Sequence, residues 1–206
     1  MSSIEFIYFD LGKVILDFDH EKGCQQVSMI SGISPERVRQ AVFDSGLQNK
    51  FETGLITGDK FHAEFCSTTL SQPGKADFLR ALSDIFEPKH EVLRLIARLT
   101  ECRFPIGILS NTCSAHWDLI ESCYPSLPMD FGPLILSYEV RSMKPDPVIY
   151  ERAIEMAGCR ANACFFVDDK QENVDGAIAA GMDAVLFHSV PRLVQELAAR
   201  GVVVDS

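Results

Sequence analysis

The chain has 206 residues, of which 47% are hydrophobic and 23% charged, and its 19 basic and 29 acidic residues give a net charge of −10. This length fits one compact domain, or one domain with a small insert, and the apolar fraction is too high for a disordered chain. No apolar run is long enough to predict a membrane span. The acidic balance argues against a general nucleic-acid-binding surface, although a local positive pocket for an anion remains compatible with it.

The seven cysteines are an odd number and none forms a CxxC pair; no histidine lies at zinc-finger spacing from the closest two, Cys159 and Cys164. We therefore interpret them as reduced, mostly buried thiols. The first nine residues contain no basic segment, and Asp10 follows before a secretory signal core is complete. These features predict a cytoplasmic protein.

Short apolar segments rich in β-branched or aromatic residues alternate along most of the chain with amphipathic segments. They predict buried strands at residues 4–9, 104–109, 133–136, 163–167 and 184–187. The amphipathic pattern predicts helices at residues 91–99, 147–157, 171–180 and 190–199, several of them bounded by an initial proline or a terminal glycine. This alternation predicts an α/β fold, a doubly wound, Rossmann-like parallel sheet with helices on both faces.

The stretch from Asp17 to Pro88 departs from this alternation because it contains no convincing buried strand. Its patterns predict helices at residues 20–31, 35–44, 59–70 and 76–86. We interpret the stretch as a small α-helical insert placed directly after the first strand. The predicted domains are therefore an α/β core formed by residues 1–16 and 89–206, and a helical cap formed by residues 17–88.

Polar side chains follow the predicted strands. Asp10 ends the first strand, Ser110 and Asn111 follow the second, Asp168 and Asp169 follow the strand at 163–167, and Lys144 precedes the helix at 147–157. Ligands bind beyond the carboxyl ends of the strands in open parallel sheets, so we expect at least three of these groups to meet there. Mg²⁺ accepts one or two protein carboxylates plus substrate oxygens. With Lys144 it would offset the charge of a phosphate ester, so that a carboxylate can attack phosphorus and form an aspartyl-phosphate that water hydrolyses.

Four segments, in this order, resemble the motifs of the haloacid dehalogenase (HAD) superfamily: FDLGKV at 9–14, LSNT at 109–112, KPDP at 144–147 and VDD at 167–169. The helical insert resembles the C1-type cap of this superfamily, and FETG at 51–54 resembles a recurring cap segment. The DLGxV form of the first motif is most similar to the branch that contains bacterial α-D-glucose-1-phosphate phosphatase and the N-terminal phosphatase domain of epoxide hydrolase.

The resemblance implies a role for each residue that matches a motif. Asp10 would be the nucleophile and a metal ligand, and Ser110 and Lys144 would bind the phosphoryl group and take part in catalysis. Asn111 would lie beside them in the substrate site. Gly12 would lie against the substrate and offer its backbone carbonyl to Mg²⁺. Asp169 would be the main acidic metal ligand of the fourth motif, with Asp168 binding directly or through water.

Gly12 departs from the family pattern, which usually has a second Asp two residues after the nucleophile. That Asp protonates the leaving alcohol, and loss of such a group typically costs about 10²–10⁴ in rate. Gly12 therefore favours either a good leaving group, such as the anomeric oxygen of a sugar 1-phosphate, or a substitute acid. Asp17, Asp19 and His20 are the candidates for that substitute.

The predicted function is a Mg²⁺-dependent phosphatase that hydrolyses a small phosphorylated metabolite, such as a sugar phosphate, with no nucleic-acid or membrane partner. Two alternatives stay open. One is a metal-independent haloacid dehalogenase, in which Asp10 attacks carbon, although the pair Asp168 and Asp169 argues against it. The other is a non-catalytic, HAD-like binding protein, an alternative that Gly12 keeps open.

Overall fold

The computed structural model describes residues 4–203, so residues 1–3 and 204–206 of the predicted core lie outside the described part. Strands are formed by β1 (Phe6–Phe9), β2 (Leu16–Phe18), β3 (Phe86–Pro88), β4 (Ile106–Ser110), β5 (Leu134–Leu136), β6 (Cys164–Asp168) and β7 (Asp183–Leu186). Helices are formed by α1 (His20–Ser31), α2 (Pro35–Arg39), α3 (Leu47–Glu52), α4 (Gly58–Thr69), α5 (Lys75–Ser83), α6 (His90–Glu101), α7 (Ser114–Cys123), α8 (Ser126–Met129), α9 (Ser137–Val140), α10 (Pro147–Ala157), α11 (Gln171–Ala179) and α12 (Val190–Ala199).

The main sheet has five parallel strands in the order β5-β4-β1-β6-β7, which confirms the predicted Rossmann-like α/β fold. Strands β1, β4 and β6 are buried along their whole length, as expected for strands covered by helices on both faces. Phe9 pairs with Ile108 of β4 and with Val167 of β6. This register places the residues that follow the three central strands side by side at one edge of the sheet.

The segment between β1 and β4 differs in part from its prediction. The predicted helix at 35–44 is an α-helix only to Arg39 and continues as a π-helical turn over Gln40–Asp44. The predicted helix at 76–86 ends at Ser83, because the chain then forms β3, which pairs antiparallel with β2. Both strands have only three residues and are partly exposed, so neither produces the apolar run that predicts a strand. Helices α3, α8 and α9 were not predicted either, since each has only four to six residues.

Helices α1 to α5 enclose an apolar cluster of their own. Phe65 and Phe78 form its centre, with ring centroids 4.4 Å apart, and both side chains are fully buried. Two further clusters pack on the two faces of the main sheet. The helical segment therefore has an apolar core to which Cys113, at the start of α7, also contributes, and the ribbon of β2 and β3 connects it to the main sheet.

All seven cysteines lie within residues 4–203 and are free thiols. Cys24, Cys113 and Cys164 are buried, whereas Cys102 and Cys123 are exposed. The prediction of mostly buried thiols is therefore wrong for these last two, which follow or end surface helices. Within the same residues, none of the helices combines the length and the hydrophobicity that crossing a membrane requires.

Candidate active site

Lys144 lies at the centre of the predicted site. Its Nζ is 2.9 Å from Asp10 Oδ1 and 2.5 Å from Asp168 Oδ2, and it donates a hydrogen bond of 2.9 Å to the carbonyl of Leu109. The side-chain amide of Asn111 holds the backbone of Lys144, accepting from its N–H at 2.8 Å and donating to its carbonyl at 3.0 Å. The loops after β1 and β4 and the loop before α10 therefore converge, as the strand order predicts.

The charges in this cluster are unbalanced. Burial by itself lowers the pKa of Lys144, but the carboxylates of Asp10 and Asp168 outweigh it, so the pKa is raised and the ammonium form is kept. Burial raises the pKa of Asp10 to about 7, although Lys144 partly opposes this effect and Asp168 adds to it. One buried ammonium thus faces two carboxylates, with Asp169 close by as a third.

Asp168 is completely buried and is held by its neighbours. Its Oδ1 accepts from the backbone N–H of Lys170 at 2.8 Å, and Asn173 Nδ2 lies 3.0 and 3.1 Å from its two oxygens. Asn173, in the first turn of α11, was not identified from the sequence. The sequence signal for it is an Asn five residues after Asp168, in the first turn of the predicted helix, where its side chain can reach back to the end of the preceding strand.

The carboxylates of Asp10, Asp168 and Asp169 each offer an oxygen, and these oxygens lie within 4.8 Å of one another. Burial and the neighbouring Asp168 raise the pKa of Asp169, so its charge too lacks full compensation. Among the described residues, Asn173 Oδ1 is also buried without a hydrogen-bond partner. Uncompensated carboxylates beside an unpartnered buried oxygen fit a hard divalent cation such as Mg²⁺, which prefers oxygen ligands.

A cavity of about 150 Å³ opens onto this cluster. All but one of the predicted site residues line it, namely Asp10, Gly12, Ser110, Asn111, Lys144 and Asp169; Asp168 lies behind the wall. Of the three candidates for a substitute acid, only His20 lines the cavity. Asp17 pairs with Lys13, and Asp19 caps the start of α1 by accepting from the backbone N–H groups of residues 21 and 22.

Other side chains on the cavity wall were not placed there from the sequence. They include Phe18 from β2, Glu52 from α3, Phe86 from β3 and His116 from α7. Phe86 and His116 meet edge to face with ring centroids 5.3 Å apart. These residues come from elements that only the folded chain brings over the edge of the sheet, so no local pattern identifies them.

The fold and the site define an α/β protein with a cavity lined by carboxylates and a lysine at the carboxyl edge of a parallel sheet. A family model described as haloacid dehalogenase-like hydrolase matches residues 63–181, more than half of the chain. The chain belongs to this hydrolase family.

Curated relatives resemble the chain over most of its length. A phosphatase from Mycobacterium tuberculosis is 25% identical, with 98% of each chain covered. The D-ribitol-5-phosphate phosphatase of Bacteroides thetaiotaomicron is 23% identical, with 83% of this chain and 85% of that protein covered.

Solved structures show the same fold. A HAD family enzyme from Bacteroides thetaiotaomicron, in complex with magnesium and inorganic phosphate, has a TM-score of 0.81 at 24% identity, with 92% of this chain and 98% of that chain covered. The L-2-haloacid dehalogenase of Xanthobacter autotrophicus has a TM-score of 0.65 at 20% identity, with 97% and 84% covered.

Proposed function

We propose that the protein is a Mg²⁺-dependent phosphatase that hydrolyses a small phosphorylated metabolite, such as a sugar phosphate, through an aspartyl-phosphate. One observation carries this proposal: Asp10, Lys144 and Asp169 line one small cavity, in which the Asp10 carboxylate lies beside the Lys144 ammonium. A phosphate ester in this cavity would meet a nucleophile, a positive charge and a group that binds a metal.

In this proposal Asp10 is the nucleophile. The backbone N–H of Leu11 donates to its Oδ1 at 2.7 Å and Lys144 approaches the same oxygen, so the carboxylate is held in one orientation. Lys144 and the buried Ser110 bind the phosphoryl oxygens, and the amide of Asn111 fixes the loop that carries Lys144.

Asp10, Asp169 and the carbonyl of Gly12 would hold Mg²⁺, with Asp168 directly or through water. The bonds from Lys144, Lys170 and Asn173 to Asp168 favour Asp169 as the main acidic ligand of this pair. Mg²⁺, when bound, neutralises charge on the phosphoryl group and so permits a carboxylate to approach it.

The relatives support the choice of phosphatase over dehalogenase. Two curated relatives that cover most of the chain are named as phosphatases, and a structure with a TM-score of 0.81 holds magnesium and phosphate, against 0.65 for a haloacid dehalogenase. A dehalogenase needs no metal, whereas this site places three carboxylates close together, and Lys144 pairs with only two of them.

We further propose that residues 17–88 form a cap that closes over the cavity and selects the substrate, and that residues 1–16 and 89–206 form the core. The separate apolar cluster of α1 to α5 supports this division. The cytoplasm is the proposed location, since seven free thiols suit a reducing compartment.

The test is hydrolysis of p-nitrophenyl phosphate and a panel of sugar and polyol phosphates by purified protein. We expect turnover with Mg²⁺, none with EDTA, and recovery when Mg²⁺ is returned. Halide release from 2-chloropropionate without metal would replace the proposal with dehalogenase chemistry. Absence of turnover across the panel would replace it with a binding function.

A further inference from the structure

The position two residues after Asp10 is crowded by the ring of Phe18. A Cβ atom on Gly12 would lie 2.9 Å from Cε1 of Phe18, whose ring comes from the β2–β3 ribbon and lines the cavity. Carbon atoms at van der Waals contact are about 3.5–4.0 Å apart, so an Asp at this position requires Phe18 to move. Phe18 occupies the space that such an acid would fill, so a substitute proton donor would come from another part of the cavity wall.

Two histidines line the cavity, but both are poor donors near neutral pH. Burial, with the charge of His20, lowers the pKa of His116 to about 4. Burial lowers the pKa of His20 as well, assisted by the positive charges of Arg39 and Lys13. His20 is also fixed between aromatic rings, with centroids 4.5 Å from Phe43 and 4.8 Å from Phe18.

Glu52, at the end of α3, is positioned over the site by contacts between the helical segment and the core. Ser137 Oγ donates to the carbonyl of Glu52 at 2.6 Å and accepts from the backbone N–H of Thr112 at 2.9 Å. Gly54 has a positive φ of 70°, and a Cβ there would lie 2.2 Å from the carbonyl oxygen of Tyr138. Glycine at 54 therefore permits a close approach to α9, whose Ser137 in turn bonds to the loop that follows Ser110.

The Glu52 carboxyl group is suited to moving a proton in both directions. Gln48 Nε2 donates to its Oε1 at 2.9 Å, which fixes the side chain at the cavity wall. Burial raises its pKa to about 7, while Gln48 and the charge of Lys170 oppose this effect and Asp10 adds to it. Efficient acid–base catalysis requires a pKa near the working pH.

We propose that Glu52 is the general acid and base of the reaction, replacing the aspartate that Gly12 and Phe18 displace. The inference rests on the proposed phosphatase function. In the first step an oxygen of Asp10 bonds to phosphorus, the bond from phosphorus to the alcohol oxygen breaks, and that oxygen takes the proton of Glu52. In the second step ionised Glu52 takes a proton from water, the water oxygen bonds to phosphorus, and the acyl phosphate bond to Asp10 breaks. Alcohol and inorganic phosphate leave, and both carboxyl groups regain their initial states.

The experiment compares Glu52→Gln with wild-type protein on two substrates. One is p-nitrophenyl phosphate, whose leaving group needs no proton, and the other is the alkyl phosphate that wild type hydrolyses fastest in the panel. We expect kcat/KM for the alkyl phosphate to fall about 10²–10³-fold, and kcat/KM for p-nitrophenyl phosphate to fall less than about fivefold. Because the second step still needs a base, Glu52→Gln should release a burst of one p-nitrophenolate per enzyme before slow turnover.

Glu52→Asp keeps the carboxyl group and should restore part of the alkyl phosphate activity. Glu64→Gln, on α4 of the same segment, is the matched control: its partners Lys50 and Lys60 are surface lysines, and both substrates should react at wild-type rates. Equal losses of kcat/KM on the two substrates, or no loss, would overturn the role of Glu52 while leaving the phosphatase intact. An inactive wild type would instead overturn the proposed function, and with it this role.

Discussion

Lys144 and Asp168 form an ion pair that is enclosed by protein, with Nζ 2.5 Å from Oδ2 and side chains that are 1% and 0% exposed. Asp169, the next residue, lines the cavity instead. Loss of the Asp168 carboxylate takes an acceptor from Lys144, Lys170 and Asn173, whereas Asp169 faces the space in which a metal would bind. Two adjacent aspartates of one motif should therefore differ sharply in what their loss does.

Asp168→Asn should destabilise the protein by about 2 kcal/mol, because the amide nitrogen that replaces one carboxylate oxygen cannot accept the hydrogen bond from Lys144. Urea unfolding in the presence of EDTA measures this loss without a contribution from metal. A change in the free energy of unfolding below about 1 kcal/mol would show that the contact between Lys144 and Asp168 does not stabilise the loop before α10.

Asp169→Asn should alter metal binding more than stability. We expect the Mg²⁺ concentration for half-maximal activity to rise about tenfold or more. The Mg²⁺-induced rise in Tm should shrink, because a ligand stabilises the folded state by an amount that grows with the ratio of its concentration to its Kd. If the Mg²⁺ dependence of activity and that of Tm both stay as in wild type, Asp169 is not a metal ligand.

Asp10→Asn should reduce kcat by about 10³-fold or more, since the amide cannot act as the nucleophile. The fold should persist, and without metal its Tm should equal or exceed that of wild type, because burial raises the pKa of Asp10 and so disfavours its charged form. If the variant still hydrolyses phosphate esters at a rate near that of wild type, Asp10 is not the nucleophile.

His116 should make the fold sensitive to mild acid. Its pKa is lowered by burial to about 4 from a usual value of 6.5, so the unfolded chain takes up the proton first as the pH falls. The contribution of neutral, buried His116 to stability is full above about pH 6.5 and falls by about 3 kcal/mol as the pH approaches 4. His116→Asn should flatten this part of the stability profile measured by urea unfolding. His90→Asn, at an exposed position on α6, is the control and should leave the profile as in wild type.

Gly54→Ala should separate the helical segment from the core at the point where Glu52 is docked. The added methyl group meets the carbonyl of Tyr138 at 2.2 Å, so we expect kcat/KM for an alkyl phosphate to fall about tenfold or more. Gly32→Ala is the matched control, because Gly32 also has a positive φ but no atom within 4 Å of the added Cβ. It should cost about 1 kcal/mol of stability and no activity. Equal activity in both variants would contradict the docking of Glu52.

The order of strands and helices, and the residues at the ends of the central strands, follow from the sequence alone. Burial on both faces produces continuous apolar runs in β1, β4 and β6, and a parallel sheet brings the residues after these runs to one edge. Asp10, Ser110 and Asp169 could therefore be predicted as neighbours before any contact was known.

Only the tertiary structure decided that Asp168 is buried while Asp169 lines the cavity, and which side chains cover the site. Asp168 is enclosed by Lys144 and Asn173, contacts that depend on the register of β6 and on the direction of a loop distant in sequence. Phe18 and Glu52 reach the cavity because the β2–β3 ribbon and the contact of Gly54 with Tyr138 set the position of the helical segment. Local patterns reflect burial along one element, whereas these placements depend on packing between elements that are far apart in the chain.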